Sequence, residues 1–362
     1  MRSPLKEPRM VTVTIQPRQP RWQHEMAGAV TSSEKLVKAL GLPPALTSPA
    51  SEAGASFPLR VPESFLRRIR PGDAHDPLLR QVLPVQQELA PAAPGYGPDP
   101  LGEAAATRVP GLLHKYRGRA LLVTTGACAI HCRYCFRREF PYAGQQGEGP
   151  RFREALAAIA RDESLEEVIL SGGDPLSLSN ARLAALTDEL SAIARVRRLR
   201  VHTRTPIALP TRVDDGLLAW LRALRRPMTV VLHANHPHEI DAEVAAACAR
   251  LRGTGVTLLN QSVLLKGVND DVTLLAQLSQ RLFEVGVLPY YLHVLDRVRG
   301  AQHFAVSERR ARRITGELAA RLPGYLVPRL ARERAGAPAK VVLAPDLPVP
   351  RGRSRGRRVA RC

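Results

Sequence analysis

The 362 residues are 44% hydrophobic but only 4% aromatic, which suits one large α/β domain or two smaller ones with a core of Leu, Val, Ile and Ala. No apolar run of about 20 residues occurs and the first 25 residues lack an apolar signal core, so neither a membrane span nor a secretory leader is expected. Five cysteines with three in one loop make no disulfide framework and point to a reducing, cytoplasmic setting, while the net charge of +20 implies either attraction to something acidic or a solvated arginine surface.

Residues 1–110 read as a mostly helical region wrapping the main domain. Val11–Ile15 alternates as a short strand, and Ser32–Gly41 is a capped helix with glycine at its stop. Ser64–Ile69 and Pro77–Val82 are further short helices, and Glu88–Pro100 is a Pro/Gly/Ala surface crossing. From about residue 117 the pattern becomes regular. Strands are predicted at Ala120–Thr125, Glu167–Ser171, Leu199–His202, Met228–Ala234, Thr257–Val263 and Pro289–Val294. Helices are predicted at 151–161, 180–195, 213–224, 238–252, 271–286 and 307–321. Six strand–helix units predict a parallel α/β sheet or barrel over 111–322, followed by a segment 323–345 and a basic tail 346–362. Six arginines in Arg351–Arg361 suggest that the tail is disordered.

Special residues fall at or just after the strand ends: the cysteine loop, Gly172-Gly173-Asp174-Pro175, Arg204, His233, Gln261 and Asp296. In parallel barrels chemistry sits on the loops at that end. Cys128, Cys132 and Cys135 stand at C-x3-C-x2-C within Thr124–Phe140. Three thiolates so spaced can fold round a metal cluster, and the missing fourth ligand leaves a metal position open for chemistry. The plainer readings are core cysteines or a partial zinc site. In SGGDPL the glycines permit close approach of a ligand and the aspartate can accept from an ammonium group, although the same residues make a good turn. Lys340, in GAPAK, is either a surface lysine or a desolvated Schiff-base nucleophile. Cys248 reads as core packing and Cys362 as incidental.

The cysteine loop resembles that of the radical S-adenosylmethionine (SAM) enzymes, in which three cysteines hold a [4Fe–4S] cluster and SAM chelates the fourth iron. The succession SGGDPL, HTRTP, ANHP, LNQSVLLKGVND, PYYLHVLD and GYLVP…K, over residues 110–340, is similar to the lysine 2,3-aminomutases. The resemblance implies a partial (β/α)6 TIM-like barrel with Cys128, Cys132 and Cys135 as cluster ligands. It implies that Gly172, Gly173 and Asp174 meet the amino group of SAM, with His233 and Asn235 as further contacts. A second cofactor, pyridoxal phosphate, would be held by Lys340, its phosphate cradled by Arg204, Gln261 and Lys115, with Tyr290 and Tyr291 along its ring. Arg137 would pair with the substrate carboxylate and Asp296 with the ε-ammonium of L-lysine. A second family aspartate for that ammonium falls at Glu333, a departure from the pattern.

The implied reaction begins with one-electron reduction of the cluster by an unidentified donor and cleavage of SAM to a radical. That radical takes a hydrogen from Cβ of lysine; the amino nitrogen then moves from Cα to Cβ and the hydrogen returns. HKYRGRALLV, CRYCFRREFPY and GYLVPRLARERAGAPAK look closest to a short branch that makes (R)-β-lysine for elongation factor P, attached by a separate lysyl-tRNA-synthetase-like ligase. The alternatives are a free-lysine mutase or a mutase for another amino acid such as glutamate, whose side-chain carboxylate Asp296 would repel. A cluster- or zinc-bearing nucleic-acid-binding module has only the basic charge to support it, without interleaved aromatics.

Overall fold

The computed structural model describes residues 20–142 and 150–348, so the predicted strand Val11–Ile15, the arginines of the tail and Cys362 lie outside the described residues. The N-terminal region contributes α1 (Arg21–Ala27), α2 (Ser33–Ala39), α3 (Thr47–Ser56), α4 (Glu63–Leu66) and α5 (Glu103–Ala106). α2 starts where Ser32 accepts the Lys35 amide, and the chain leaves it through Gly41 at φ +60°. The helix predicted at Pro77–Val82 is a single 3-10 turn, Leu79–Gln81. Asp76 Oδ1 takes the Leu78 and Leu79 amides at 2.8 and 3.1 Å, which starts the turn but does not extend it. Leu36, Phe65, Leu78, Leu79 and Val82 pack with Ile130 and Ala208, so this region is fastened to the barrel by a shared apolar core.

One ten-stranded sheet runs in spatial order β1 (Thr107–Val109), β2 (Leu112–Tyr116), β3 (Arg119–Thr125), β4 (Glu167–Gly172), β5 (Arg198–Thr203), β6 (Met228–Leu232), β7 (Thr257–Leu264), β8 (Leu288–Val294), β9 (Arg329–Arg332) and β10 (Val341–Val342). β3 to β9 are parallel, and β1–β2 and β10 flank them antiparallel. β1 and β10 do not pair, so the barrel stays open. The long helices between and after these strands are α6 (Pro150–Arg161), α7 (Asn180–Ala192), then, beyond the single-turn α8 (Thr205–Ala208), α9 (Asp215–Arg222), α10 (Ala242–Arg252), α11 (Val272–Glu284) and α12 (Glu308–Ala319). This gives the six predicted strand–helix units of a partial TIM-like barrel. Parallel β9 is additional. Its sequence, RLAR, is too short and too charged to signal a strand, and only Leu330 and Ala331 are buried.

Side chains of Ser179, Asp214, Asp241, Asp271 and Ser307 cap the helices that follow them, each worth about 1 kcal/mol. These caps place the helix starts at or up to four residues after the predicted ones. Strand alternation then divides the residues between two surroundings. Val168, Leu170, Leu199, Val201, Val230 and Leu232 point out and pack under the helices with fully buried Cys248. Ser171, Arg200, His202, Gln261, Tyr291 and His293 point in and, together with apolar side chains such as Leu121, Ile169 and Val263, line a hollow. Among the described residues no helix is long and apolar enough to cross a membrane.

Candidate active site

The hollow is a cavity of about 480 Å³, within the ~300–1,000 Å³ usual for small-molecule sites. The candidate site residues from the sequence lie on its wall: Cys128, Cys132, Cys135, Arg137, Gly172, Gly173, Asp174, Arg204, His233, Asn235, Gln261, Tyr290, Asp296, Glu333, Lys340 and Lys115. They divide into a cysteine end and a Lys340 end.

At the cysteine end the chain leaves β3 at Thr125 and forms the loop of three free thiols. The glycine turn after β4 lies against that loop. Gly173 N donates to Thr125 O at 2.7 Å and Asp174 N to Ala127 O at 2.8 Å. Gly172 has φ +123°, and a Cβ on Gly173 would stand 2.3 Å from Ala127 O. The glycines therefore admit the cysteine loop itself, and both also line the cavity. Asp174 is likewise engaged by the protein: it accepts from Leu176 N, Thr203 Oγ1, Arg204 N and Thr205 N at 2.7–3.0 Å. Its carboxylate joins the ends of β4 and β5 and also lines the cavity.

Arg204, expected at a phosphate, lies on the cavity wall with protein partners of its own. Its guanidinium donates to Cys132 Sγ at 2.8 Å, to Gln81 Oε1 at 2.8 Å, to Glu239 Oε2 at 3.0 Å and to the Tyr134 hydroxyl. Those four acceptors hold it at the cysteine loop. Asn235 Nδ2 donates to Gln81 Oε1 at 3.0 Å and to Tyr134 Oη at 2.6 Å, while its Oδ1 accepts from Val263 N. Arg137 forms a fork with Glu103, at 2.7 and 2.8 Å, and reaches Ser171 Oγ at 2.9 Å. Gln81, Glu103 and Glu239 were not legible as site residues, because each sits in a short turn or helix without motif.

Three free thiols on one wall suit a cluster. A four-iron cube takes one thiolate at each of three irons and leaves the fourth open, which three thiols in one loop can supply. Burial pushes the Cys128 thiol well above its ordinary value and Cys135 up to about 11. Thiols in so apolar a setting become thiolates when a cationic iron centre displaces their protons.

At the other end, Lys340 Nζ lies 3.2 Å from Glu333 Oε2, 3.4 Å from His293 Nε2 and 5.4 Å from the Tyr291 ring centroid. Glu333 Oε1 accepts from Lys115 Nζ at 3.0 Å, and Lys115 also meets Glu103 Oε1 at 3.2 Å. A chain of alternating charge, Arg137–Glu103–Lys115–Glu333–Lys340, thus joins the two ends of the cavity. Burial alone would raise the Glu333 carboxyl, but Lys340 and Lys115 outweigh it and hold it at about 2. Asp296 is pushed up to about 7, by burial first and then by the Glu333 charge, with Lys340 and Lys115 opposing.

Burial, with Arg204, Lys340 and Arg137 nearby, holds His233 down at about 3, so a neutral ring pairs with Gln261 Nε2 at 2.9 Å. His293 is neutral for the same reason, burial first and then Lys340. Tyr290 and Tyr291 rings lie 4.0 Å apart on the same wall. Arg119, not anticipated from sequence, lines the cavity with its guanidinium 4.6 Å over the Tyr116 ring and has no carboxylate partner among the described residues.

Residues 117–202 match a family described as a 4Fe-4S single cluster domain. The chain is 47% identical over 323 residues to the L-lysine 2,3-aminomutase of Escherichia coli (strain K12), covering 89% of this chain and 94% of that one. It is 46% identical over 323 residues to that of Haemophilus influenzae, covering 89% and 95%. Against that of Clostridium subterminale it is 34% identical over 328 residues, covering 90% and 78%. An open parallel barrel in which β3 leads into the cysteine loop, over residues that match a 4Fe-4S single cluster domain, defines an iron–sulfur enzyme. Within that class the chain belongs to the lysine 2,3-aminomutase family, which makes it an isomerase.

Proposed function

We propose that the enzyme converts (S)-α-lysine to (R)-β-lysine with pyridoxal phosphate on Lys340, and that the product serves the modification of elongation factor P in the cytoplasm. The observation that carries this reading is the single cavity with three free thiols at one end and Lys340, flanked by Glu333, His293 and Tyr291, at the other. When bound, the cluster with SAM supplies a hydrogen-abstracting radical and pyridoxal phosphate carries the migrating nitrogen.

The chain's own residues do the placing. Cys128, Cys132 and Cys135 would hold the cluster, with Gly172, Gly173, His233 and Asn235 shaping the adjoining SAM site. Lys340 would hold pyridoxal phosphate through Nζ, with Tyr290 and Tyr291 along its ring. Gln261 and the carboxylate-free Arg119 are the donors suited to its phosphate. Lys115 and Arg204 are already committed to carboxylates and, for Arg204, to a sulfur, which argues for a supporting role for both. Arg137, with its fork on Glu103, offers its remaining N–H to the substrate carboxylate, and Asp296 takes the ε-ammonium. Neutral His233 and His293 add no positive charge where that ammonium must sit.

The chain covers 94% of the Escherichia coli relative and 78% of that of Clostridium subterminale, so its length fits the shorter branch read from GYLVPRLARERAGAPAK. The test uses anaerobically reconstituted enzyme with dithionite, SAM, pyridoxal phosphate and L-lysine, followed by chiral analysis of the product. The same mixture is then coupled to the ligase and elongation factor P. (R)-β-Lysine that is transferred to the factor supports the whole reading. β-Lysine that the ligase does not accept would point to a free-lysine role.

A further inference from the structure

The four-way hold on Arg204 is made entirely at the cysteine end of the cavity, in a closely buried part of it. Arg204 is 5% exposed, Gln81 and Glu239 are not exposed at all. Asp174 fixes the backbone amide of Arg204 at 2.7 Å, so the residue is pinned at both ends. Its fork divides its partners: NH1 faces Cys132 Sγ at 2.8 Å and the Tyr134 hydroxyl, NH2 faces Gln81 and the Glu239 carboxylate. A guanidinium kept this rigidly beside one sulfur is a fixed positive end, with its counter-charge on another nitrogen of the fork.

We propose that Arg204 sets the reduction potential of the cluster through Cys132. This rests on the reading that Cys128, Cys132 and Cys135 hold that cluster. Reduction adds one electron from an external reductant, here dithionite, and changes the core from 2+ to 1+ with no proton required of the protein. The added negative charge spreads onto the ligand sulfurs, and hydrogen bonds and positive charge at those sulfurs stabilise the reduced state more than the oxidised one. In a buried site the effect is large because water does not screen it. Arg204 therefore raises the potential, and Glu239 opposes it more weakly because it reaches the sulfur only across the guanidinium.

The test is a potentiometric titration of reconstituted enzyme, following the electron paramagnetic resonance signal of the reduced cluster, with iron and sulfide content measured on every sample. Arg204→Gln removes the positive charge beside Cys132 while Glu239 keeps its donors Gln81 Nε2, Asn235 N and His236 N, and it is expected to lower the reduction equilibrium constant at least tenfold, or ~59 mV for a one-electron couple. Arg204→Gln combined with Glu239→Gln removes both charges and should shift the potential down by less. Arg204→Lys keeps the charge and should lie between wild type and the double variant. A full cluster with an unchanged or raised potential in both Arg204→Gln and the double variant overturns the proposal. Failure of the wild type to load four irons would instead overturn the cluster reading beneath it.

Discussion

Asp296 and Glu333 are two carboxyls on one wall that respond to the same lysines in opposite ways. Glu333 touches Lys340 and Lys115 directly and stays ionised to about pH 2. Asp296 lies beyond their reach for an ion pair, and burial and the Glu333 charge keep its proton on until about pH 7. If Asp296 must be an anion to hold the ε-ammonium, KM for lysine falls as the pH rises through 7, by up to about tenfold per unit on the acid side. A pH series of KM checks this, and Asp296→Asn should raise KM and flatten the dependence. Glu333 gives the converse sign. Its folded pKa is depressed, so its contribution to stability is fully present above the ordinary glutamate value and is lost as the pH falls towards 2. Glu333→Gln should therefore cost on the order of 2 kcal/mol at pH 7, with wild type and variant converging in acid denaturation. A constant difference down to pH 2 would show that the ion pairs contribute nothing.

At the scale of elements, the cysteine loop and the glycine turn after β4 act as one unit, because Gly172 and Gly173 let two backbones meet where a Cβ does not fit. Gly173→Ala should cost about 1–3 kcal/mol and lower iron loading at equal protein concentration, since the added carbon meets Ala127 O and neither side is a flexible side chain. Normal iron content and normal thermal stability would show that the loop gives way freely. The elements themselves were largely legible. Buried strands announce themselves as apolar runs between turn signals, and Ser179, Asp214, Asp241, Asp271 and Ser307 mark the helix starts. β9 was not legible, because a four-residue strand with arginine at both ends carries no period. The direction in which a site residue turns was not legible either. Asp174 and Arg204 stand at the strand ends where the sequence places them, but apart from Leu176 their side-chain partners are donors and acceptors 29 to 123 residues away.

For the whole molecule, the barrel and the N-terminal region share the site. Glu103 reaches in from α5 to fork Arg137 and hold Lys115, and Gln81 reaches in to Arg204 and Asn235. Sequence pattern placed this region as a wrapping and could say no more, because a lone Glu or Gln in a turn gives no signal until the chain folds. Glu103→Gln keeps the size and removes the charge between Arg137 and Lys115. It should raise KM for lysine severalfold with a smaller change in kcat, because the loss falls on the group that positions the substrate carboxylate. A change confined to kcat would place Glu103 elsewhere in the mechanism.

The central claim is that the thiols and Lys340 serve one reaction in one cavity. The most direct test measures β-lysine formed anaerobically from L-lysine by wild type, Cys132→Ala and Lys340→Ala. Wild type should form it. Cys132→Ala should form none while still binding pyridoxal phosphate covalently, and Lys340→Ala should form none while still binding iron. β-Lysine from either variant at the wild-type rate, or SAM cleavage by wild type without any β-lysine, would contradict the account.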